Sequence, residues 1–150
     1  MAPKDNVSAV VENIGGIQRQ RVEFSAGVNV LAGPNATNRT SLLRAIGGAL
    51  GGTSGVLRRG SESGTVTLTV DGEEYTRQYQ RARDTVRTTG EPYTDEERLV
   101  DLFVCLLEDN PIRRAVRSDD DLTDLLLAPV DTDELEQEIA SLTSQRDRID

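Results

Sequence analysis

The sequence predicts an α/β lobe: a mixed sheet containing a β-hairpin, a helix that opens on a phosphate-binding loop, and a helical segment leading into a coiled coil. Three observations predict it. Gly27 to Ile46, GVNVLAGPNATNRTSLLRAI, runs from an apolar stretch through a loop of small residues into helical spacing. Val66, Leu68 and Val70 alternate with threonines ahead of an Asp71-Gly72 pair. From Thr94 onward the apolar period becomes that of helices.

Val7 to Ile14 and Arg21 to Phe24 read as two strands joined by Gly15 and Gly16, since paired glycines between apolar runs mark a turn. Val28, Val30, Leu31 and Ala32 form a nearly continuous apolar run, the pattern of a strand buried on both faces. Leu42, Leu43, Ile46 and Leu50 then recur at helical spacing. A Gly- and Ser-rich surface loop is expected from Gly47 to Gly64, carrying Arg58 and Arg59. The Asp71-Gly72 pair is a hairpin signal, and Tyr75, Arg77 and Tyr79 alternate on the return strand, with Val86 in a third.

Thr94 and Glu97 have the spacing of a capping box, and Leu99, Leu102, Phe103 and Leu106 carry a helix to about Glu108. Asn110-Pro111 starts a second helix with proline at its first position. Ser118 or Asp119 caps a third containing Leu122, Leu125 and Leu126. Asp131 and Glu134 open a last helix, in which Leu135, Ile139, Leu142 and Ile149 follow coiled-coil spacing, with Arg146 in the skipped core position. The expected organisation is a lobe over residues 1–130, with its phosphate loop at 33–41, and the truncated start of a coiled-coil helix over 131–150.

The loop carries the chemistry. In the pattern G-x-x-x-x-G-K-[ST], Gly33 and Thr40 hold the ends while Asn38 and Arg39 stand where glycine and lysine belong. Successive backbone N–H groups form an anion nest there, the helix N-terminus adds partial positive charge, and the Thr40 hydroxyl is placed to ligate Mg²⁺. Asn38 preserves a positive-φ turn, because asparagine visits that region at modest cost. Arg39 keeps the charge, but its planar fork grips phosphate differently from an ammonium. Binding therefore survives better than hydrolysis. The bland alternative is a strand-to-helix turn without a ligand. Asn35-Ala36-Thr37 and Asn38-Arg39-Thr40 also read as glycosylation sequons, which require secretion, and no signal peptide is read.

Composition narrows the class. The chain has 150 residues, 26 acidic against 17 basic, no histidine, and Lys4 as its one lysine. Such a surface fits a protein dispersed in concentrated salt, a halophile's cytoplasmic protein. No apolar run approaches the roughly 20 residues of a membrane span. The single Cys105 excludes a disulfide within the chain, which points to a reducing compartment, and reads as a small buried hydrophobe.

With these residues in view, the chain resembles the N-terminal head segment of SMC, RecF and SbcC type ABC ATPases, nearest the archaea-specific SMC-related proteins of haloarchaea. In that family a GxNxxGK[ST] loop follows an N-terminal strand pair, and a coiled coil follows the lobe. The resemblance implies ATP and Mg²⁺ as cofactors, bound by Gly33, Pro34, Asn35, Ala36, Thr37, Asn38, Arg39, Thr40 and Ser41, with Arg39 in the lysine position and Thr40 as the Mg²⁺ ligand. Ala36 and Asn38 depart from the family's glycines. The family's Q-loop falls near Leu106 to Asn110, where Glu108 or Asn110 stands in for glutamine. The partners implied are DNA, the protein's own C-terminal lobe and a second copy, with no membrane and a cytoplasmic or nucleoid-associated location.

The function expected is the ATP-binding half of an SMC-like, DNA-associated ATPase in chromosome organisation, repair or recombination, hydrolysing only as a full-length dimer. Two alternatives stay open: a non-hydrolysing coiled-coil scaffold, and a self-contained P-loop NTPase. The second needs LFVCLLED, Leu102 to Asp109, to be a strand with Asp109 as its metal residue. For DNA the chain offers Arg58 and Arg59, then Arg77, Arg81, Arg83 and Arg87, then Arg113, Arg114 and Arg117. Ion pairing with the abundant carboxylates is the competing use of each cluster.

Overall fold

A computed structural model describes residues 7–34, 38–53 and 55–127. Val7–Ile14 (β1) and Ile17–Phe24 (β2) form the expected hairpin around Gly15 and Gly16. β2 begins four residues before Arg21 because Ile17 pairs with Ile14 and both side chains are buried. The chain then leaves the sheet, runs through Arg39–Leu50 (α1), and returns as Ser63–Val70 (β3), Glu73–Ala82 (β4) and Thr85–Thr89 (β5). Asp71 and Gly72 take φ of 53° and 91°, the two positive angles of a primed hairpin turn.

The strand order is β2-β1-β3-β4-β5, and every pairing is antiparallel. α1 is thus the crossover that carries the chain from the β2 edge to the far side of β1. Register places Ala9 opposite Leu68, and Val11 opposite Val66, on the face where Tyr79 also lies. These side chains are buried with Leu42, Ala45 and Ala49 of α1. The opposite face carries Thr65, Thr67, Thr69 and Thr76 and meets water, which explains the threonine alternation.

The strand expected at Val28–Ala32 does not form. The segment is non-regular, with Val28 96% and Val30 82% exposed. A strand buried on both faces needs a neighbour on each side, and among the described residues none pairs with it. The α/β class stands, while the parallel part of a mixed sheet is missing from the described residues. The surface loop also starts later than expected. Gly47 and Gly48 are buried within α1, and Leu57 is buried and bridges to Ile14.

The helical segment comprises Glu97–Phe103 (α2), Pro111–Ser118 (α3) and Thr123–Leu127 (α4). α2 stops at Phe103 rather than Glu108, and the capping box does not close: the Thr94 hydroxyl accepts from Glu96 N instead. Asn110 caps α3 through Arg113 N at 3.0 Å, with Pro111 at the first position as expected. Asp119 ends α3 in the left-handed region, so the cap ahead of α4 falls to Asp121, which accepts from Thr123 N at 2.9 Å. The Thr123 hydroxyl also donates to it, at 2.7 Å, and this bond and then the backbone one hold the exposed Asp121 carboxyl below its ordinary range. The coiled-coil helix expected over 131–150 lies outside the described residues.

One contact gives a direct check of this packing. Glycine to alanine within a helix ordinarily gains about 1 kcal/mol. At Gly48 a Cβ would overlap the Tyr79 hydroxyl, which is buried without a hydrogen-bond partner among the described residues. Gly48→Ala should therefore lower the melting temperature. Tyr79→Phe alone should hold or raise stability by about 1 kcal/mol, since an unsatisfied buried polar group is removed. The double variant should melt above Gly48→Ala, and a Gly48→Ala protein as stable as wild type would refute the contact.

Candidate phosphate-binding site

The approach to the loop is stapled by Asn29. Its side chain accepts from Ser25 N at 3.1 Å and donates to Ser25 O at 2.8 Å and Gly27 O at 3.3 Å, with Gly27 at φ 93°. Leu31 then packs against the core, while Ala32, Gly33 and Pro34 are exposed. Asn35, Ala36 and Thr37 lie outside the described residues.

Asn38 is the N-cap of α1 and takes φ 59°, ψ 22°, the left-handed turn expected of it. Its side chain does not cap the helix. Instead Nδ2 donates to Gly16 O at 3.1 Å, and Gly16 N donates to Ser41 Oγ at 3.2 Å. The first N–H groups of a helix have no intrahelical acceptors, and no acidic side chain lies in this first turn. The Arg39 and Thr40 side chains are exposed and make no hydrogen bond or ion pair among the described residues. The result is a helix N-terminus whose donors are uncapped among the described residues, with one cation and one hydroxyl, a donor set suited to a phosphate and its metal ion.

One turn further along α1, Arg44 Nη2 donates to Asp109 Oδ2 at 2.7 Å. This pair borders a cavity of about 440 Å³ between α1 and α2, lined also by Thr53, Asp101, Cys105 and Asn110. Asp101 accepts from the backbone N–H and hydroxyl of Thr53. Asn110 is 4% exposed and donates to Asp101 O and Leu102 O, so its amide is committed to the fold and is not available as a Q-loop substitute. Glu108 is exposed and lies 3.9 Å from Arg117.

Leu102 to Asp109 is no strand: α2 covers its first two residues, and the rest is turn and non-regular chain. The leucines keep to the helical period set by Leu99, and Asp109 is engaged by Arg44. No group of three metal-ligating side chains occurs among the described residues. The arginine clusters also divide. Arg77 donates to Gly48 O and Gly51 O, Arg81 to Ser61 O, and Arg113 to Leu106 O, which makes these three structural. Arg59, Arg83, Arg87 and Arg114 remain exposed without a partner among the described residues.

Sequence reasoning missed the roles of Gly16 and Asn29, and offered Arg77 to DNA where it instead binds the end of α1. Gly15-Gly16 reads as a turn and nothing more, because no local signal links it to a loop 22 residues away. Asn29 lies inside an apolar run, where its side-chain turn is masked.

Comparison with known proteins follows the same lines. A family model for the AAA domain matches residues 9–149. Smc-like protein Sph2 of Halobacterium salinarum is 48% identical over 143 residues, covering 95% of this chain and 21% of the relative. Smc-like protein Sph3 of Haloferax volcanii is 45% identical over 140 residues, covering 93% and 21%. Protein bps2 of Acidianus ambivalens is 35% identical over 94 residues, covering 59% and 16%. The chain spans about a fifth of the length of the two Smc-like relatives. No described helix is long and apolar enough to cross a membrane.

The cavity's thiol predicts an alkaline limit. Burial raises Cys105 above its ordinary value of 9.0, and the nearby Asp101 and Asp109 carboxylates add to the shift against an opposing bond from the Gly47 backbone. Above that ordinary value the unfolded chain releases the proton that the folded protein keeps. The stabilisation is therefore full below pH 9.0 and is lost as pH rises through the folded value. Tyr79, raised by its own burial, acts in the same direction at higher pH. Cys105→Ala should flatten the fall of melting temperature just above pH 9, and an unchanged slope would show that the thiol is not protected.

Proposed function

We propose that this chain, which belongs to the AAA domain family and is Smc-like, is the ATP-binding lobe of an SMC-like, DNA-associated ATPase. The observation that carries the reading is the N-terminus of α1, where Asn38 turns its side chain away and leaves the first-turn amides uncapped beside unengaged Arg39 and Thr40. Those amides hold phosphate oxygens, and Arg39 neutralises their charge from a fork able to bridge two of them. Thr40 would hold Mg²⁺, which when bound would supply Lewis-acid polarisation of the terminal phosphate. The binding stretch is Gly33 to Ser41, with Ser41 acting through Gly16.

Hydrolysis is assigned to the full-length protein as a dimer, in a cytoplasmic or nucleoid-associated setting. Two facts support that division. The chain spans 21% of its Smc-like relatives, and the apolar Val28 and Val30 stand exposed beside the loop, where a C-terminal lobe would cover them. DNA association in chromosome organisation, repair or recombination rests on the family and on the exposed Arg59, Arg83, Arg87 and Arg114. The start of a coiled coil after residue 130 completes the proposed arrangement.

Equilibrium titration of the full-length protein with ATP and Mg²⁺ in multimolar KCl tests the reading. Saturable binding is expected, with affinity reduced tenfold or more in Arg39→Ala, about 1.4 kcal/mol, and with Mg²⁺ dependence lost in Thr40→Ala. Affinity untouched by both substitutions would sink the assignment. Residues 1–150 alone should release no phosphate above background, and robust turnover by that monomer would favour a self-contained NTPase.

A further inference from the structure

Both backbone polar groups of Gly16 are taken by side chains of the phosphate loop. Its carbonyl accepts from Asn38 Nδ2 at 3.1 Å, and its N–H donates to Ser41 Oγ at 3.2 Å. Asn38 and Ser41 are the residues that flank Arg39 and Thr40. The turn they hold is itself fixed from behind: Gly15 N donates to Val56 O at 2.7 Å, and Ile14 and Ile17 on either side are 1% and 3% exposed. A Cβ on Gly16 would overlap Asn38, and its three nearest atoms all belong to that one side chain. Gly16 is not among the positive-φ glycines, so the contact with Asn38 is what excludes a side chain there.

We propose that Asn38 and Ser41 are positioning residues that clamp the phosphate loop to the β1–β2 turn, and that Asn38 occupies the usual glycine position because this clamp sets the loop. A glycine at 38 supplies the left-handed backbone and nothing to hold it with. Asparagine supplies the same backbone plus a bond to a turn anchored in the core. The carboxamide is thereby withdrawn from capping α1, so one residue both fixes the loop and leaves the first-turn amides to a ligand. The inference rests on the nucleotide reading for its purpose and on the Gly16 contacts for its geometry.

The test is a double-mutant cycle between Gly16→Ala and Asn38→Gly in the full-length protein, with Ser41→Ala as a third variant. Two readouts are taken: amide hydrogen exchange of Gly16 and Leu42, whose N–H groups are bonded to Ser41 Oγ and Asn38 O, without nucleotide, and affinity for ATP with Mg²⁺. Asn38→Gly and Ser41→Ala should each speed exchange and weaken ATP about tenfold while leaving the global melting temperature nearly unchanged, which a purely structural role would not do. Gly16→Ala should weaken ATP more strongly. The double variant should be no worse than Asn38→Gly, because the side chain that the added methyl group overlaps is then gone. Losses that multiply in the double variant, or wild-type exchange in Asn38→Gly, overturn the clamp. A wild-type protein that binds no ATP overturns the nucleotide reading instead, and the exchange readout still decides for or against the clamp.

Discussion

A helix that crosses between strands has to settle its unpaired backbone groups at both ends, and the two ends of α1 are settled in opposite ways. At the C-terminus, Arg77 reaches from β4 to Gly48 O and Gly51 O, and Gly51 turns the chain at φ 124°. A guanidinium there satisfies the last carbonyls and opposes the negative end of the helix dipole. At the N-terminus the sheet fixes the chain through Gly16 but supplies no acceptor to the first-turn amides. Closing one end and opening the other gives the helix a fixed position and a single open terminus. The small residues Ala45, Gly48 and Ala49 let α1 lie close on the sheet, so that Arg77 can reach it.

The arginines show how an acidic chain spends few positive charges. Arg77, Arg81 and Arg113 bind backbone carbonyls, where no counter-charge is needed and screening by salt matters little. The ion pairs among the described residues are largely exposed, and such pairs contribute about 0–1 kcal/mol even in dilute buffer. Carbonyl binding is the more robust use in concentrated salt. It also removes three of the nine arginines that the sequence offers as candidates for DNA.

Local chemistry was legible wherever it was self-contained. β1 runs over the residues its apolar pattern predicts, and Asp71-Gly72 needs two positive φ values that few other pairs accept. Asn110-Pro111 declares a helix start through a cap and a missing N–H. Val28–Ala32 was misread because an apolar run reports that a segment is to be covered, not what covers it. α2 was read too long because Leu106 keeps the helical period after the chain has already turned towards Asn110, whose buried amide takes Asp101 O and Leu102 O. In the candidate site, the left-handed Asn38 was legible from its residue type alone. Its partner was not, since a contact spanning 22 residues between a glycine backbone and a carboxamide leaves no pattern.

The loop's departures from pattern then have one physical reading. Measured against G-x-x-x-x-G-K-[ST], Asn38 and Arg39 look like losses. Measured against the structure, Asn38 keeps the glycine's backbone angle and adds an anchor, and Arg39 keeps the lysine's charge on a side chain that stands free in solvent. A bulkier cation demands a loop that does not drift, because a planar fork loses its two-point contact with a small displacement where a point charge does not. The anchor at Gly16 meets that demand. On the proposed reading the two substitutions are a pair, the bond from Asn38 to Gly16 fixing the loop that carries Arg39.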